Sequence, residues 1–255
     1  MKMNTDLWPQ HIGSIWAALL SNHSLNPSSS IVEIGPGFMD KIGCGLAELR
    51  FQGILYVVEP NKDALKWVIH RYRTLLPKAT IIAVNETIQD ACSILPEGIE
   101  AILMNHVLDD MVLYASLHPD ERQSIFSQIR PGESCLFKVK YTWQSLINDP
   151  ENLSELNSNI ISDIYSLVDC TQARIVGMSQ YKSWFLNQNK LTEANLIGNK
   201  LLLEIVSHLG HMSSEDKDIL RSYNQDPLDW LIVERENIIQ NYDRKQNILP
   251  QTIKT

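Results

Sequence analysis

Apolar positions in this chain follow two rhythms, and the first half switches between them repeatedly. From Leu7 to Leu20, residues Ile12, Ile15, Trp16, Leu19 and Leu20 recur at helical spacing and predict an opening helix. The segment Ser24 to Ser30, rich in serine around Asn26-Pro27, breaks it. Ile31 to Ile34 is then a short, near-continuous apolar run, the pattern of a strand buried on both faces of a parallel sheet. The runs Ile54 to Glu59, Thr80 to Val84, Ala101 to Asn105 and Ser134 to Val139 have the same character. Helical spacing separates them. Asp40 to Arg50 reads as a helix, weakened by Gly43 and Gly45. Asn61 to Leu75 places Leu65, Val68, Ile69 and Tyr72 on one face. Pro119 to Ile129 carries Asp120 and Glu121 at its positive end. Pro131-Gly132 predicts a turn.

Strands alternating with helices imply a mostly parallel sheet with helices on both faces. The second half is less regular. Trp143 to Val168 reads as helical, with an interruption near Asp149-Pro150. Ala173 to Met178 reads as a strand, Leu191 to Leu209 as an apolar helix, and Trp230 to Glu234 as a last strand. Ser213 or Ser214 is placed to cap a helix running to Tyr223, with Asp216 three residues after Ser213. The expectation is an α/β, doubly wound, mostly parallel seven-stranded sheet of Rossmann type, with added helices forming a lid or cap. Residues 1–30 would be a helical lid, 31–140 the cofactor-binding core, and 141–241 the completion of the sheet with a helical insertion at about 182–228. The polar stretch 242–255 would be a flexible tail.

Ligands of such sheets bind outside the carboxyl ends of the strands. There the chain reads Glu33-Ile34-Gly35-Pro36-Gly37. Glycines at that point let the backbone turn tightly and approach a ligand, so Gly35 and Gly37 would bed a nucleotide-like cofactor. Glu59 ends the next strand, where a carboxylate accepts both hydroxyls of a ribose. Two cofactor classes use this device. Nicotinamide dinucleotides expect a third glycine at position 40, which is Asp40. A carboxylate is unwelcome beside a pyrophosphate but tolerable beside an ammonium and a sulfonium. Glu33 points the same way, as a partner for an amino-acid end, directly or through water.

Ile31 to Val139 resembles the class I S-adenosylmethionine-dependent methyltransferases. The resemblance is carried by VEIGPG (32–37), LYVVEP (55–60), NETIQD (85–90), AILMNHVLDD (101–110) and PGESCLFKV (131–139). It implies S-adenosyl-L-methionine as the cofactor, with Glu33, Gly35, Pro36 and Gly37 along its methionine and ribose side. It implies Glu59, next to Pro60, on the ribose hydroxyls, and Asn85 and Glu86 near the adenine. Asn105 and His106 would face the sulfonium and the acceptor. Met39 stands where the family often has a third glycine.

Methyl transfer demands alignment and exclusion of water more than acid–base chemistry, so the acceptor is less legible than the donor. The candidates for catalysis are Asn105, His106 and Asp109. Asn105 would position a substrate or tie down a loop. His106 would take a proton or orient the loop. Asp109 and Asp110 would engage a cationic acceptor or cap a helix. Lid and pocket candidates are Trp8, His11 and Trp16, the stretch Tyr181 to Leu209 with Trp184 and Phe185, and Tyr141 with Trp143.

Composition narrows the field. The chain has 255 residues, 44% apolar, enough for one large domain. Its formal net charge of −8 disfavours a nucleic-acid substrate. So does the absence of an acidic-or-amide, proline, proline, aromatic motif. The basic stretch Lys62 to Lys78 reads as a solvated helix face. The four cysteines, Cys44, Cys92, Cys135 and Cys170, form no metal-binding spacing, and no metal is expected. The first ten residues lack the apolar core of a signal peptide, and no apolar run approaches the roughly 20 residues of a spanning helix. A cytoplasmic location with no membrane insertion is expected. The expected activity is in-line methyl transfer to a small or medium organic acceptor. A protein acceptor, a nucleic-acid acceptor, a nonenzymatic cofactor-binding role and a nicotinamide-dependent oxidoreductase stand as alternatives. The helix Leu191 to Leu209 would alternatively pack a homodimer.

Overall fold

A computed structural model describes residues 7–128 and 135–236, with the side chains of Trp184 and Phe185 outside that description. Pro131-Gly132, Ser134 and the tail from residue 242 lie outside the described residues.

Helix α1 (Trp8–Asn22) leads into β1 (Ser30–Ile34), α2 (Lys41–Glu48), β2 (Ile54–Val58), α3 (Lys62–Leu75), β3 (Thr80–Val84), the short α4 (Ile88–Ala91) and β4 (Ala101–Asn105). Four helices follow: α5 (Leu108–Ser116), α6 (Pro119–Gln128), α7 (Leu136–Ile147) and α8 (Pro150–Thr171). Then come β5 (Ile175–Ser179), α9 (Trp184–Gln188), α10 (Thr192–Leu209), α11 (Ser214–Ser222) and β6 (Trp230–Glu234). Among the described residues the sheet has six strands, in the order β3-β2-β1-β4-β5-β6. All neighbours are parallel except β5 and β6. The chain steps outward from β1 to β2 and β3, then returns to β4 on the other side of β1. A crevice opens at that reversal, beyond the strand ends.

The central strands explain their composition. β1, β4 and β5 are buried almost throughout, so alternation is lost and apolar runs replace it. The exposed edge strand β3 is wetter. Helix α3 buries Leu65, Val68, Ile69 and Tyr72, as its period predicts. Asn61 caps it by accepting from the amides of Asp63 and Ala64, worth about 1 kcal/mol for such a cap. Ser213 caps α11 in the same way, accepting from the amide of Asp216. Helix α1 buries Ile12, Ile15, Trp16, Leu19 and Leu20 and packs closely on α2. A Cβ at Gly45 would collide with the Gly13 carbonyl, so the second glycine pair serves helix packing.

One expected strand is absent. The apolar run 134–139 predicts a fifth strand, but Leu136–Ile147 is helix α7, and β4 pairs with β1 on one side and with Ile175–Ser179 on the other. Short apolar runs are ambiguous between a buried strand and a helix. Here Val139, Trp143 and Leu146 continue the spacing beyond the run and bury one helical stripe. The helical segment between β5 and β6 holds α9, α10 and α11. Among the described residues, no helix is long and apolar enough to cross a membrane.

Candidate functional site

A cavity of about 550 Å³ lies at the reversal of strand order. That size is ordinary for a small-molecule or cofactor site. Its floor comes from the ends of three strands: Ile34 to Gly37 after β1, Val58 to Asn61 after β2, and Asn105 to Val107 after β4. Thr87, Ile88 and Gln89 close one side. Helices α5, α6 and α8 form the far wall, through Met111, Tyr114, Phe126 and Ile160 among others.

The glycine turn is shaped by sterics. Gly35 (φ +61°) and Gly37 (φ +58°) both adopt the left-handed conformation. A Cβ on Gly35 would strike the side chain of Val107, whereas one on Gly37 would meet nothing within 4 Å. Gly35 is thus bound to its place by packing, and Gly37 opens onto empty space. Glu59 is 5% exposed. Its Oε2 accepts from the Gly37 amide and its Oε1 from the Asn61 amide, each at 2.9 Å. Burial raises the Glu59 pKa, and these two amides oppose the shift.

At the end of β4, Asn105 is held on three sides. Its Oδ1 accepts from Trp16 Nε1 at 2.9 Å and from Ser179 Oγ at 3.0 Å. Its Nδ2 donates to Tyr181 Oη at 3.1 Å. Lys41 Nζ donates to the same phenol oxygen at 2.7 Å. His106 takes a left-handed backbone (φ +54°), a rare conformation for a non-glycine residue, and its amide donates to Ser179 O. Its ring stacks on Tyr181, with centroids 4.7 Å apart and planes 9° apart. Its Nδ1 is buried without a partner. Burial lowers the His106 pKa, with Asp109 opposing and Lys41 reinforcing the shift.

Of the residues read from sequence, Gly35, Pro36, Gly37, Glu59, Pro60, Asn105 and His106 line the cavity together, as does Asp110. Four do not. Glu33 is buried beneath the turn, its carboxyl set against Tyr72 and pushed up to about 8 by burial. Asn85 turns its Nδ2 to the Glu59 and Pro60 carbonyls, so it fixes the β2 end from outside. Glu86 gives way to its neighbours Thr87 to Gln89. Asp109 is 4% exposed, with Oδ1 accepting from Gln180 Nε2 at 3.0 Å. Neither Asp109 nor Asp110 caps α5; both lie in its first turn, after Val107. Asp40, read as an obstacle to pyrophosphate, is paired with Arg71 at 2.7 Å. Its charge is thereby largely answered within the protein.

Trp8, His11, Trp16, Tyr141 and Trp143 do not line the cavity. Trp16 instead packs near Trp230, and Trp143 is 1% exposed in the core. The wall that sequence reading missed is α5, α6 and α8. Tyr114 and Met111 on α5 follow directly from the β4 end. The residues of α8 carry no local signal, because only the tertiary fold brings them back over the strand ends. Among the described residues, no group of three His, Cys, Asp or Glu side chains is placed to hold a metal.

No protein-family model matches the chain, and no curated protein matches it. Several solved structures do. The bifunctional kinase-methyltransferase WbdD matches over 71% of this chain and 31% of its own, at 8% identity and a TM-score of 0.39. Its complex with the kinase inhibitor LY294002 matches over 91% and 41%, at 8% identity and a TM-score of 0.43. The plantazolicin methyltransferase BamL, in complex with a triazolic desmethylPZN analog and SAH, matches over 95% and 80%, at 9% identity and a TM-score of 0.44. The chain covers less than half of the length of the WbdD chains it matches. The solved structures matched are those of a bifunctional kinase-methyltransferase and a plantazolicin methyltransferase.

Proposed function

We propose that this chain binds S-adenosyl-L-methionine and transfers its methyl group, in line, to a small or medium organic acceptor. Glu59 carries the reading. It is a buried carboxylate at the end of the second strand, lining a cavity at the reversal of strand order. Two backbone amides fix it and leave lone pairs for two ribose hydroxyls. The open space at Gly37 fits a cofactor chain crossing the turn.

The charge of the cavity separates the two cofactor classes. Glu59, Asp110 and Asp163 line it, against Lys41 and Arg122. Lys41 is engaged by Tyr181, and Arg122 by backbone carbonyls. Among the described lining residues three carboxyl groups stand against two cations, a balance that suits an ammonium and a sulfonium better than a pyrophosphate. The bound donor supplies an electrophilic methyl group. Gly35, Pro36 and Gly37 would hold its methionine and ribose side. Thr87, Ile88 and Gln89 replace Asn85 and Glu86 as the adenine side. Asn105 would position the reacting groups, and His106, kept neutral by burial and stacked on Tyr181, would orient the loop after the fourth strand. Asp109 would act only through Gln180 and the α5 start. A cytoplasmic location belongs to the same proposal.

Thermal unfolding in the presence of separate ligands tests the donor assignment. S-adenosylmethionine and S-adenosylhomocysteine are expected to raise the midpoint, by about 2.7 kcal/mol of stabilisation at 100 times Kd. ATP and NADH are expected to leave it unmoved. Stabilisation by NADH alone contradicts the proposal.

A further inference from the structure

The charges left unanswered in the cavity point to the acceptor. Lys41 donates to Tyr181, and Glu59 accepts from two amides. Arg122 donates from Nε to the Leu117 carbonyl at 3.0 Å and from Nη2 to the Ala115 carbonyl at 3.4 Å. Its guanidinium also sits 4.9 Å from the Tyr114 ring centroid. The two remaining charged side chains, Asp110 and Asp163, have no hydrogen bond or ion pair among the described residues. The bonds of Lys41 and Arg122 satisfy donors and acceptors without cancelling charge. Among the described lining residues three carboxyl groups stand against two cations, so the formal charge of the lining is negative.

Asp110 presents an exposed side chain to the cavity, where neighbouring protein partly desolvates it. That desolvation holds its carboxyl above the usual carboxylate range; Asp109 and Glu59 add to the shift, and Lys41 opposes it. One helical turn further along α5 the wall becomes aromatic. Tyr114 and Phe126 meet edge to face with centroids 5.4 Å apart. Leu156 and Ile160 of α8 add apolar surface to the same cavity. An anionic group beside aromatic and aliphatic walls is the chemistry that recognises an organic cation.

We infer that the acceptor is an amine with an aromatic or aliphatic body, and that Asp110 receives its nitrogen. The inference rests on the methyltransferase reading. An amine arrives as an ammonium, and Asp110 takes one of its protons, which frees the nitrogen lone pair. A new N–C bond forms to the methyl carbon as the C–S bond breaks, and its electron pair goes to sulfur. The products are a methylated ammonium, a neutral thioether and a protonated Asp110. A carboxylate acceptor would be repelled by the Asp110 carboxylate, and an alcohol would gain no charge–charge attraction from it.

Calorimetric titration of protein saturated with S-adenosylhomocysteine tests the assignment. The probes are phenethylamine, 2-phenylethanol and 3-phenylpropionate, against the unaltered protein and Asp110→Asn. The amine alone is expected to bind. Asp110→Asn is expected to weaken it about tenfold or more and to weaken S-adenosylhomocysteine binding by a clearly smaller factor. Failure of the amine to bind, equal binding of the alcohol or the acid, or an unchanged amine affinity in Asp110→Asn overturns the inference. An equal loss of S-adenosylhomocysteine affinity also overturns it, because Asp110 would then serve the donor. If the unaltered protein does not bind S-adenosylhomocysteine, the donor reading fails instead. The titration is then repeated on unloaded protein, where amine binding weakened by Asp110→Asn upholds the amine site and its absence overturns it.

Discussion

The imidazole of His106 lies flat on the ring of Tyr181, 4.7 Å between centroids and 9° between planes. The same tyrosine collects hydrogen bonds from Lys41 and Asn105 through its hydroxyl. One side chain thus orients three cavity-lining groups. Tyr181→Phe preserves the stack and deletes the acceptor, leaving a buried ammonium short of a partner. It is expected to cost about 1–3 kcal/mol of stability in urea unfolding, with Tyr181→Leu costing more. A Tyr181→Phe variant as stable as the parent would show that the Lys41 bond contributes nothing.

The two glycines of the turn make opposite predictions. Gly35→Ala collides with Val107 and strains a left-handed backbone, so both stability and ligand binding are expected to fail. Gly37→Ala meets no protein atom and pays only the backbone strain, about 1 kcal/mol. Its effect is expected in S-adenosylhomocysteine affinity rather than in folding. Equal stability losses at the two positions contradict this division.

Stability is expected to depend on pH through His23. Its Nε2 meets Asp216 at 3.1 Å and its Nδ1 meets Glu234 at 3.2 Å, joining the end of α1 to α11 and β6. Burial disfavours the charged ring, but the bonds and charges of Asp216 and Glu234 outweigh it and raise the pKa above 6.5. The contribution is complete below pH 6.5 and is lost as pH rises through the folded-state value. Asp216 has the opposite sign: its pKa is lowered from 3.8, so its contribution is lost as pH falls through the lower folded-state value. Urea midpoints are expected to decline as pH rises above 6.5, with a shallower decline in His23→Gln. An unchanged slope in that variant contradicts the linkage.

Glu33 adds a second decline of the same sign. Its pKa rises from 4.5 to about 8, so the folded state increasingly pays for ionising a buried carboxyl between those values. Glu33→Gln is expected to gain stability over the parent as pH rises through that window. Because Glu33 does not line the cavity, S-adenosylhomocysteine affinity is expected to change little. A large loss of affinity would restore the cofactor role that sequence reading gave it.

Much of the fold was legible because buried parallel strands leave unbroken apolar runs, as at Ile54–Val58 and Ala101–Asn105. Trp230–Glu234 was read with its observed bounds. The error at Ser134–Val139 arose where a run of that length fits either period, and Trp143 and Leu146 decided for helix. In the cavity lining, Gly35, Gly37 and Glu59 were legible because they follow strand ends, where the crevice opens. Glu33 points away from the cavity because side chains alternate along a strand. Asp109 does so because adjacent residues of a helix face different sides, Asp110 toward the cavity and Asp109 toward Gln180. Asn159 and Asp163 were invisible because α8 reaches the cavity from more than 50 residues beyond β4.

Calorimetric titration of the purified chain with S-adenosylhomocysteine and, separately, with NADH tests the central claim most directly. Saturable binding of the homocysteine compound alone is predicted, lost in Glu59→Ala and weakened in Glu59→Gln, whose amide presents an acceptor on only one side. Binding of NADH, or of neither ligand, would contradict it.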